Sequence, residues 1–245
     1  MRIVAIGGGE IGRPGYPVEL TAIDAEVVRL AGTRRPLVVF LPTATQDDPV
    51  YIRTVEEHYG GRLGCRVEAL ALVDRSRTHA DLGRTIASAD IVYVGGGNTL
   101  RMMKLWRRRG VDRLLAQAAA DGTVMAGVSA GAICWCTSGV SDSRSFSSTD
   151  DDWPYIAVRG LGLLDLLLCP HYDAHPRRQD ALRRLAARTR LVGFGLDDCA
   201  ALEVVDDQFR ILSCRDRSIG HRVDRFGATV DWPAHDDLHP LARLC

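Results

Sequence analysis

Five residues, Gly127-Val128-Ser129-Ala130-Gly131, constrain this chain more than any other stretch. They follow a short apolar run, Thr123 to Ala126, and lead into the small apolar residues Ala130 to Ile133. The pattern predicts a buried strand, a tight turn, and a helix opening just after Ser129. A serine on such a turn is lifted above the sheet, and the free N–H groups of the new helix face the same space. Glycines flank it because neighbouring backbone passes close and the turn is strained. The bland alternative is a glycine-lined turn whose serine merely caps a helix. The strand before and the small-residue helix after favour a nucleophile elbow. Cys134 and Cys136 fall on the predicted helix and read as packing residues.

The segments around this turn define the architecture. Arg2 to Ile6, Leu37 to Leu41, Arg66 to Leu72, Asp90 to Val94 and Thr123 to Ala126 read as strands, with helical segments between them. Continuous apolar runs such as Leu37-Val38-Val39-Phe40-Leu41 suit strands covered on both faces. Their alternation with helices predicts an α/β fold, a three-layer sandwich around a mostly parallel sheet. At 245 residues with no visible linker or repeat, residues 1–245 are expected to form a single domain. Residues 214–245 are expected to form an irregular C-terminal arm, and Thr137 to Trp153, rich in Ser and Asp, a long loop.

Composition removes several classes of function. The net charge is zero, so neither a nucleic acid nor a membrane surface is an expected partner. No run of 18 apolar residues is present to span a membrane. Met1 to Ile6 runs straight into glycines and reads as a first strand, not a signal peptide. Seven scattered cysteines are an odd number, which suits reduced thiols in the cytoplasm. Gly7-Gly8-Gly9-Glu10-Ile11-Gly12 matches the dinucleotide fingerprint formally. Arg13-Pro14-Gly15-Tyr16-Pro17 would break the helix that motif requires, and the next strand, Leu37 to Leu41, ends in Pro42-Thr43 with no acidic residue placed to hold a ribose. The glycines therefore read as a loop at the mouth of the sheet, and no cofactor is expected.

A serine needs a base, and the base needs orienting. Of the seven histidines, His171 follows an apolar strand and a proline and so sits at a strand end. The acid candidates are Asp198, at the end of the next strand, and Asp142, in the long loop; spacing leaves both open. Gly95-Gly96-Gly97 leaves backbone N–H groups uncovered after Asp90 to Val94. It can supply a second oxyanion donor beside the Ala130 N–H. Trp106 and the arginines after it read as a solvated helix face. His171, Asp173 and His175 could instead ligate a metal with Asp150 to Asp152, but the spacing fits no strong zinc motif and no metal is expected. A non-catalytic binding protein that keeps the elbow, or a serine esterase, are the other readings.

Four blocks together, Val94 to Leu100 (VGGGNTL), Gly127 to Ala132 (GVSAGA), Pro170 to Asp173 (PHYD) and Gly195 to Asp198 (GLDD), resemble the peptidase E family of serine peptidases. These are α-aspartyl dipeptidases with relatives among the cyanophycinases. The resemblance implies a class I glutamine-amidotransferase-like fold and a cytoplasmic hydrolase that cleaves small peptides after an N-terminal aspartyl residue. Ser129 would be the nucleophile, His171 the base, and Gly97 and Ala130 the oxyanion hole. The third member would be Asp198, favoured by its strand-end position, or Asp142. Gly96, Asn98 and Arg177 would contact substrate, Arg177 as the carboxylate partner. A homodimer is the assembly the resemblance suggests. The turn carries Asp197-Asp198 where the family has Pro-Glu, and the segment from Ala174 to Gln179 is shorter than the family's.

Overall fold

The computed structural model describes residues 1–74, 76–149 and 153–244. The expectations for Asp150 to Asp152 lie outside the described residues. The apolar runs become parallel strands: β1 (Arg2–Ile6), β2 (Leu37–Leu41), β3 (Arg66–Ala69), β4 (Ile91–Val94) and β5 (Val124–Val128), in the order β1-β5-β4-β2-β3. Between them run the helices α1 (Thr21–Leu30), α2 (Pro49–Val55), α3 (His79–Ala87), α4 (Thr99–Arg109) and α5 (Val111–Ala120). Successive strand side chains point to opposite faces. Ile3, Ala5, Val39, Leu41, Val92 and Val94 share one core with α3, α4 and α5. Val4, Ile6, Val38, Phe40, Ile91 and Tyr93 share the other with α1 and Val55 of α2. Both faces are covered, which is why these strands read as unbroken apolar runs.

Beyond the elbow come α6 (Ala130–Ile133), β6 (Cys136–Ser141), β7 (Ile156–Arg159), β8 (Leu164–Cys169), α7 (Pro176–Thr189) and β9 (Val192–Leu196). The chain ends with β10 (Ala200–Val205), β11 (Gln208–Ser213), β12 (Gly220–Val223), β13 (Thr229–Trp232) and β14 (His239–Pro240). β10, β11 and β14 extend the first sheet antiparallel beyond β1, making eight strands. The other six form a second sheet, ordered β13-β12-β9-β8-β6-β7, with β6, β8 and β9 parallel at its centre. Leu166, Leu168 and Phe194 of this sheet join the core of α3–α5, and Leu167 and Cys169 pack with Leu182 of α7. The fold is an α/β sandwich whose two sheets are parallel at the centre and antiparallel at the edges. Among the described residues no helix is long and apolar enough to cross a membrane.

Four local expectations are corrected. The elbow helix ends at Ile133, so Cys136 opens β6 instead of continuing a helix. β6 takes the first part of the expected long loop, its serines buried because their hydroxyls find partners, as Ser138 does on the Val158 carbonyl at 3.2 Å. The segment from residue 214 is not irregular: β12 and β13 form the antiparallel edge of the second sheet. Trp106 is fully buried, its indole N–H donating to Thr43 Oγ1 at 3.1 Å.

The strand register gathers the loops that matter. Ile6 lies opposite Val128 and Val94 opposite Gly127, so Gly7–Gly9, Gly95–Gly97 and Ser129 leave the first sheet at one edge. Cys169 lies opposite Gly195, so His171 and Asp198 leave the second sheet side by side.

Candidate active site

Ser129 follows β5 with φ 56° and ψ −107°, a conformation that costs a non-glycine residue about 1–3 kcal/mol. The surroundings hold it there. Its N–H donates to the Ile6 carbonyl at 2.9 Å, and its carbonyl accepts from Ala132 and Ile133 N–H at 3.0 Å each. A Cβ on Gly131 would stand 2.0 Å from the Val94 carbonyl oxygen, so only glycine lets the helix start so close to β4.

His171 also has a left-handed backbone, with φ 53°, and its N–H donates to the Gly7 carbonyl at 3.2 Å. Its Nε2 lies 2.9 Å from Ser129 Oγ and its Nδ1 lies 2.5 Å from Asp198 Oδ1. The carboxylate accepts from Nδ1–H, which leaves the Nε2 lone pair facing the serine hydroxyl. Burial would push the Asp198 carboxyl up. The hydrogen bond and charge of His171, with Arg215 and Arg178 beyond, outweigh burial and hold it below the usual carboxylate range. The Asp198 N–H donates to Asp173 Oδ1 at 2.9 Å, so the residue two beyond His171 braces the turn that carries Asp198.

The first-strand glycines complete the arrangement. A Cβ on Gly8 would lie 1.9 Å from Asp198 Oδ1 and 2.4 Å from His171 Nδ1. Gly8 also accepts the Cys199 N–H at 2.9 Å. The motif that resembles a dinucleotide fingerprint is the floor on which the histidine and aspartate meet. Sequence reasoning placed it at the mouth of the sheet but gave it no task; three consecutive glycines at a strand end were the available signal.

Gly97 has φ 130°, and a Cβ there would stand 2.6 Å from the Ala44 carbonyl oxygen, so the position takes only glycine. Among the described residues no acceptor takes the N–H of Gly97 or Ala130. Gly96 leans on the elbow: its Cβ position is 3.5 Å from Ser129 Cβ, and its N–H reaches Tyr51 OH at 3.4 Å. Burial pushes that phenol up to about 12, so it stays protonated.

Three other expected residues sit elsewhere. Asp142 pairs with Arg178 at 2.7 Å, and Arg178 also donates to the Pro170 carbonyl at 3.3 Å, bracing the strand end before His171. The Asn98 side chain is buried and occupied: it caps α4 by accepting from Arg101 N–H at 3.0 Å and donates to the Ser143 carbonyl at 3.2 Å. Arg177 donates to the Trp153 carbonyl at 2.7 Å and lines a cavity over α7 that contains neither Ser129 nor His171. Of the H-x-D-x-H residues, Asp173 serves Asp198, and His175 caps α7 by accepting from the Arg177 N–H at 3.0 Å.

Ser129 and His171 open into a cavity of about 570 Å³. Three of its lining side chains, Tyr16, Val50 and Phe146, are large, apolar and exposed. The cation in the lining is Arg13, held by Glu10 through a two-pronged ion pair and stacked 4.8 Å from the Tyr16 ring centroid. These residues lie in polar or turn-rich stretches and carried no recognisable motif.

The model of peptidase family S51 matches residues 3–212. The chain is 35% identical over 226 residues to the uncharacterized peptidase YgaJ of Bacillus subtilis, covering 91% of each chain. It is 35% identical over 96 residues to peptidase E of Citrobacter koseri, 38% of each chain. Among solved structures, a peptidase from an acI-B1 Actinobacterium superposes with a TM-score of 0.73 at 16% identity, covering 98% of this chain and 96% of that one. The chain belongs to peptidase family S51 and is a serine-type peptidase.

Proposed function

We propose that Ser129 is the nucleophile of this peptidase, His171 its general base and acid, and Asp198 the residue that orients His171. The observation that carries the reading is the unbroken line Ser129 Oγ to His171 Nε2 at 2.9 Å and His171 Nδ1 to Asp198 Oδ1 at 2.5 Å. As Oγ attacks the scissile carbonyl carbon, its proton passes to Nε2 and the carbonyl electrons move onto oxygen. The N–H groups of Gly97 and Ala130 accommodate that oxyanion, each worth about 3 kcal/mol to the transition state. Collapse breaks the C–N bond, and His171 returns the proton to the leaving amine. A water, deprotonated by the same Nε2, then releases the acyl group and restores Ser129.

The finer reading is a dipeptidase that cleaves after an N-terminal aspartyl residue. It rests on the four sequence blocks shared with peptidase E. Within the Ser129 cavity the cation that would meet an aspartyl carboxylate is Arg13, exchanging Glu10 for substrate. A reducing compartment such as the cytoplasm suits the free cysteines, five of them buried.

Both levels are tested together. A fluorophosphonate adduct should map to Ser129 and vanish in Ser129→Ala, and Asp-Xaa dipeptides should be cleaved ahead of Ala-Xaa and Leu-Xaa. An adduct at another residue sinks the nucleophile assignment. Labelling at Ser129 with no preference for aspartyl substrates keeps the peptidase and removes the aspartyl reading.

A further inference from the structure

The residue beside the proposed acid, Asp197, is held by a second histidine. Asp197 is 5% exposed. Its Oδ2 accepts from the Ile219 N–H at 3.0 Å and its Oδ1 lies 3.0 Å from His221 Nε2. The other ring nitrogen, Nδ1, lies 2.8 Å from Asp231 Oδ1 on β13. Ionised carboxylates only accept hydrogen bonds, so both ring nitrogens must donate and the ring is an imidazolium. Burial works against that charge, but the hydrogen bonds to Asp197 and Asp231 and their charges outweigh it and raise the His221 pKa above the ordinary histidine value.

The groups facing His221 from neighbouring elements are Asp197 in the turn after β9, Asp231 on β13, and Tyr172 after β8, whose ring lies 4.5 Å away. Arg183 of α7 acts on Tyr172. Tyr172 in turn lies over Gly195, where a Cβ would meet the ring at 2.5 Å, and its N–H donates to the Leu196 carbonyl at 3.0 Å. The strand end carrying His171 and the turn carrying Asp198 are thus joined side by side, with His221 closing the join at its charged end.

We propose that His221, bridging Asp197 and Asp231 through both ring nitrogens, is a positioning residue that fixes the turn presenting Asp198 to His171. The inference rests on the Ser129–His171–Asp198 reading above. When His221 loses its proton, one carboxylate faces a ring lone pair and the bridge opens on that side. Its pKa is raised, so the bridge is intact below that raised value and is lost as pH climbs through it. Ser129 reactivity therefore has an alkaline limb where His221 gives up its proton.

The test is the rate of fluorophosphonate labelling of Ser129 in the full chain, followed across the neutral and alkaline range. Three proteins are compared: wild type, Asp231→Asn and His221→Gln. Asp231→Asn removes one of the two carboxylates that raise His221, so the alkaline limb should move down by about one pH unit. His221→Gln should slow labelling roughly ten- to a hundredfold through misplacement of Asp198, and should erase that limb. An alkaline limb unmoved in Asp231→Asn overturns the proposal, as does a His221→Gln protein that labels at the wild-type rate with the wild-type profile. If His221→Gln does not fold by circular dichroism, Asp231→Asn, at an exposed partner, decides alone. Wild-type protein that never labels at Ser129 removes the nucleophile reading and this inference with it. Labelling with an unmoved limb removes this inference only.

Discussion

Two of the histidine–carboxylate pairs in this chain, His171–Asp198 and His58–Asp24, lie in opposite surroundings. In one, His171 and Asp198 meet above the sheet, and the free imidazole nitrogen faces Ser129 and an open cavity. In the other, Asp24 of α1 accepts from Tyr59 OH at 2.7 Å and lies 2.9 Å from His58 Nε2, all three side chains sealed beneath the same sheet. His58 and Tyr59 are consecutive residues of a π-helical turn, Glu56–Arg62, and both reach a single carboxylate. Burial, followed by the charge of Asp24, pushes the Tyr59 phenol well above its ordinary value. The remaining His58 nitrogen is buried without a partner among the described residues. A histidine paired with an aspartate is therefore not in itself a catalytic device. What separates the pairs is the group on the far nitrogen and the room for a substrate beyond it.

The sharpest way to break this comparison is to delete each imidazole. His171→Ala should lower kcat on the order of 10⁶-fold while the protein stays folded. His58→Ala should leave the turnover of the folded protein within a few-fold, read as kcat per labelled Ser129. Comparable losses at both positions would mean that the buried pair shares in catalysis. The stability measurement should run the other way. Asp24→Ala strands a buried histidine and tyrosine and should cost about 3–5 kcal/mol in urea unfolding, far more than Asp198→Ala at the part-open site.

Glycines sharpen the same contrast. Gly8→Ala pushes a methyl into the His171–Asp198 contact and should reduce turnover about a hundredfold, a misplacement effect. Gly83→Ala on α3 meets only Leu114 at 3.6 Å and should stabilise the helix by about 0.5–1 kcal/mol with activity unchanged. The smallest expected loss of activity is at the cavity rim. Phe146→Ala should raise KM about fivefold for a peptide bearing a large apolar residue, roughly 1 kcal/mol of lost burial, and leave an alanyl analogue unaffected.

The first half of the fold was legible because its strands are buried on both faces and so cannot hide a polar residue. Leu37–Leu41 and Ile91–Val94 announce themselves. Ser129, His171 and Asp198 were legible for a related reason: each lies where an apolar run stops, at the end of a parallel strand. The second sheet was not, because β6 buries Ser138 and Ser141 by satisfying their hydroxyls, and no apolar alternation survives. β13 is an edge strand with three exposed residues, equally without a pattern. Asp142 and Asp198 could be separated only by seeing which one Arg178 had taken. Arg177 matched by position in the chain, yet the N-terminus of α7 turns it toward Trp153. Arg13 and Phe146 enter the cavity from loops whose course depends on contacts far away in sequence.

β1 runs between β5 and β10, and its trailing Gly8 is the floor under residues 171 and 198. A ribosome delivers that floor almost first and Asp198 some 190 residues later. A polypeptide that has passed His171 but not reached Asp198 carries the elbow and the glycine loops, with no carboxylate yet made for His171 Nδ1. The contact between His171 and Asp198 therefore waits for the stretch in which the chain turns back to pair β10 against β1.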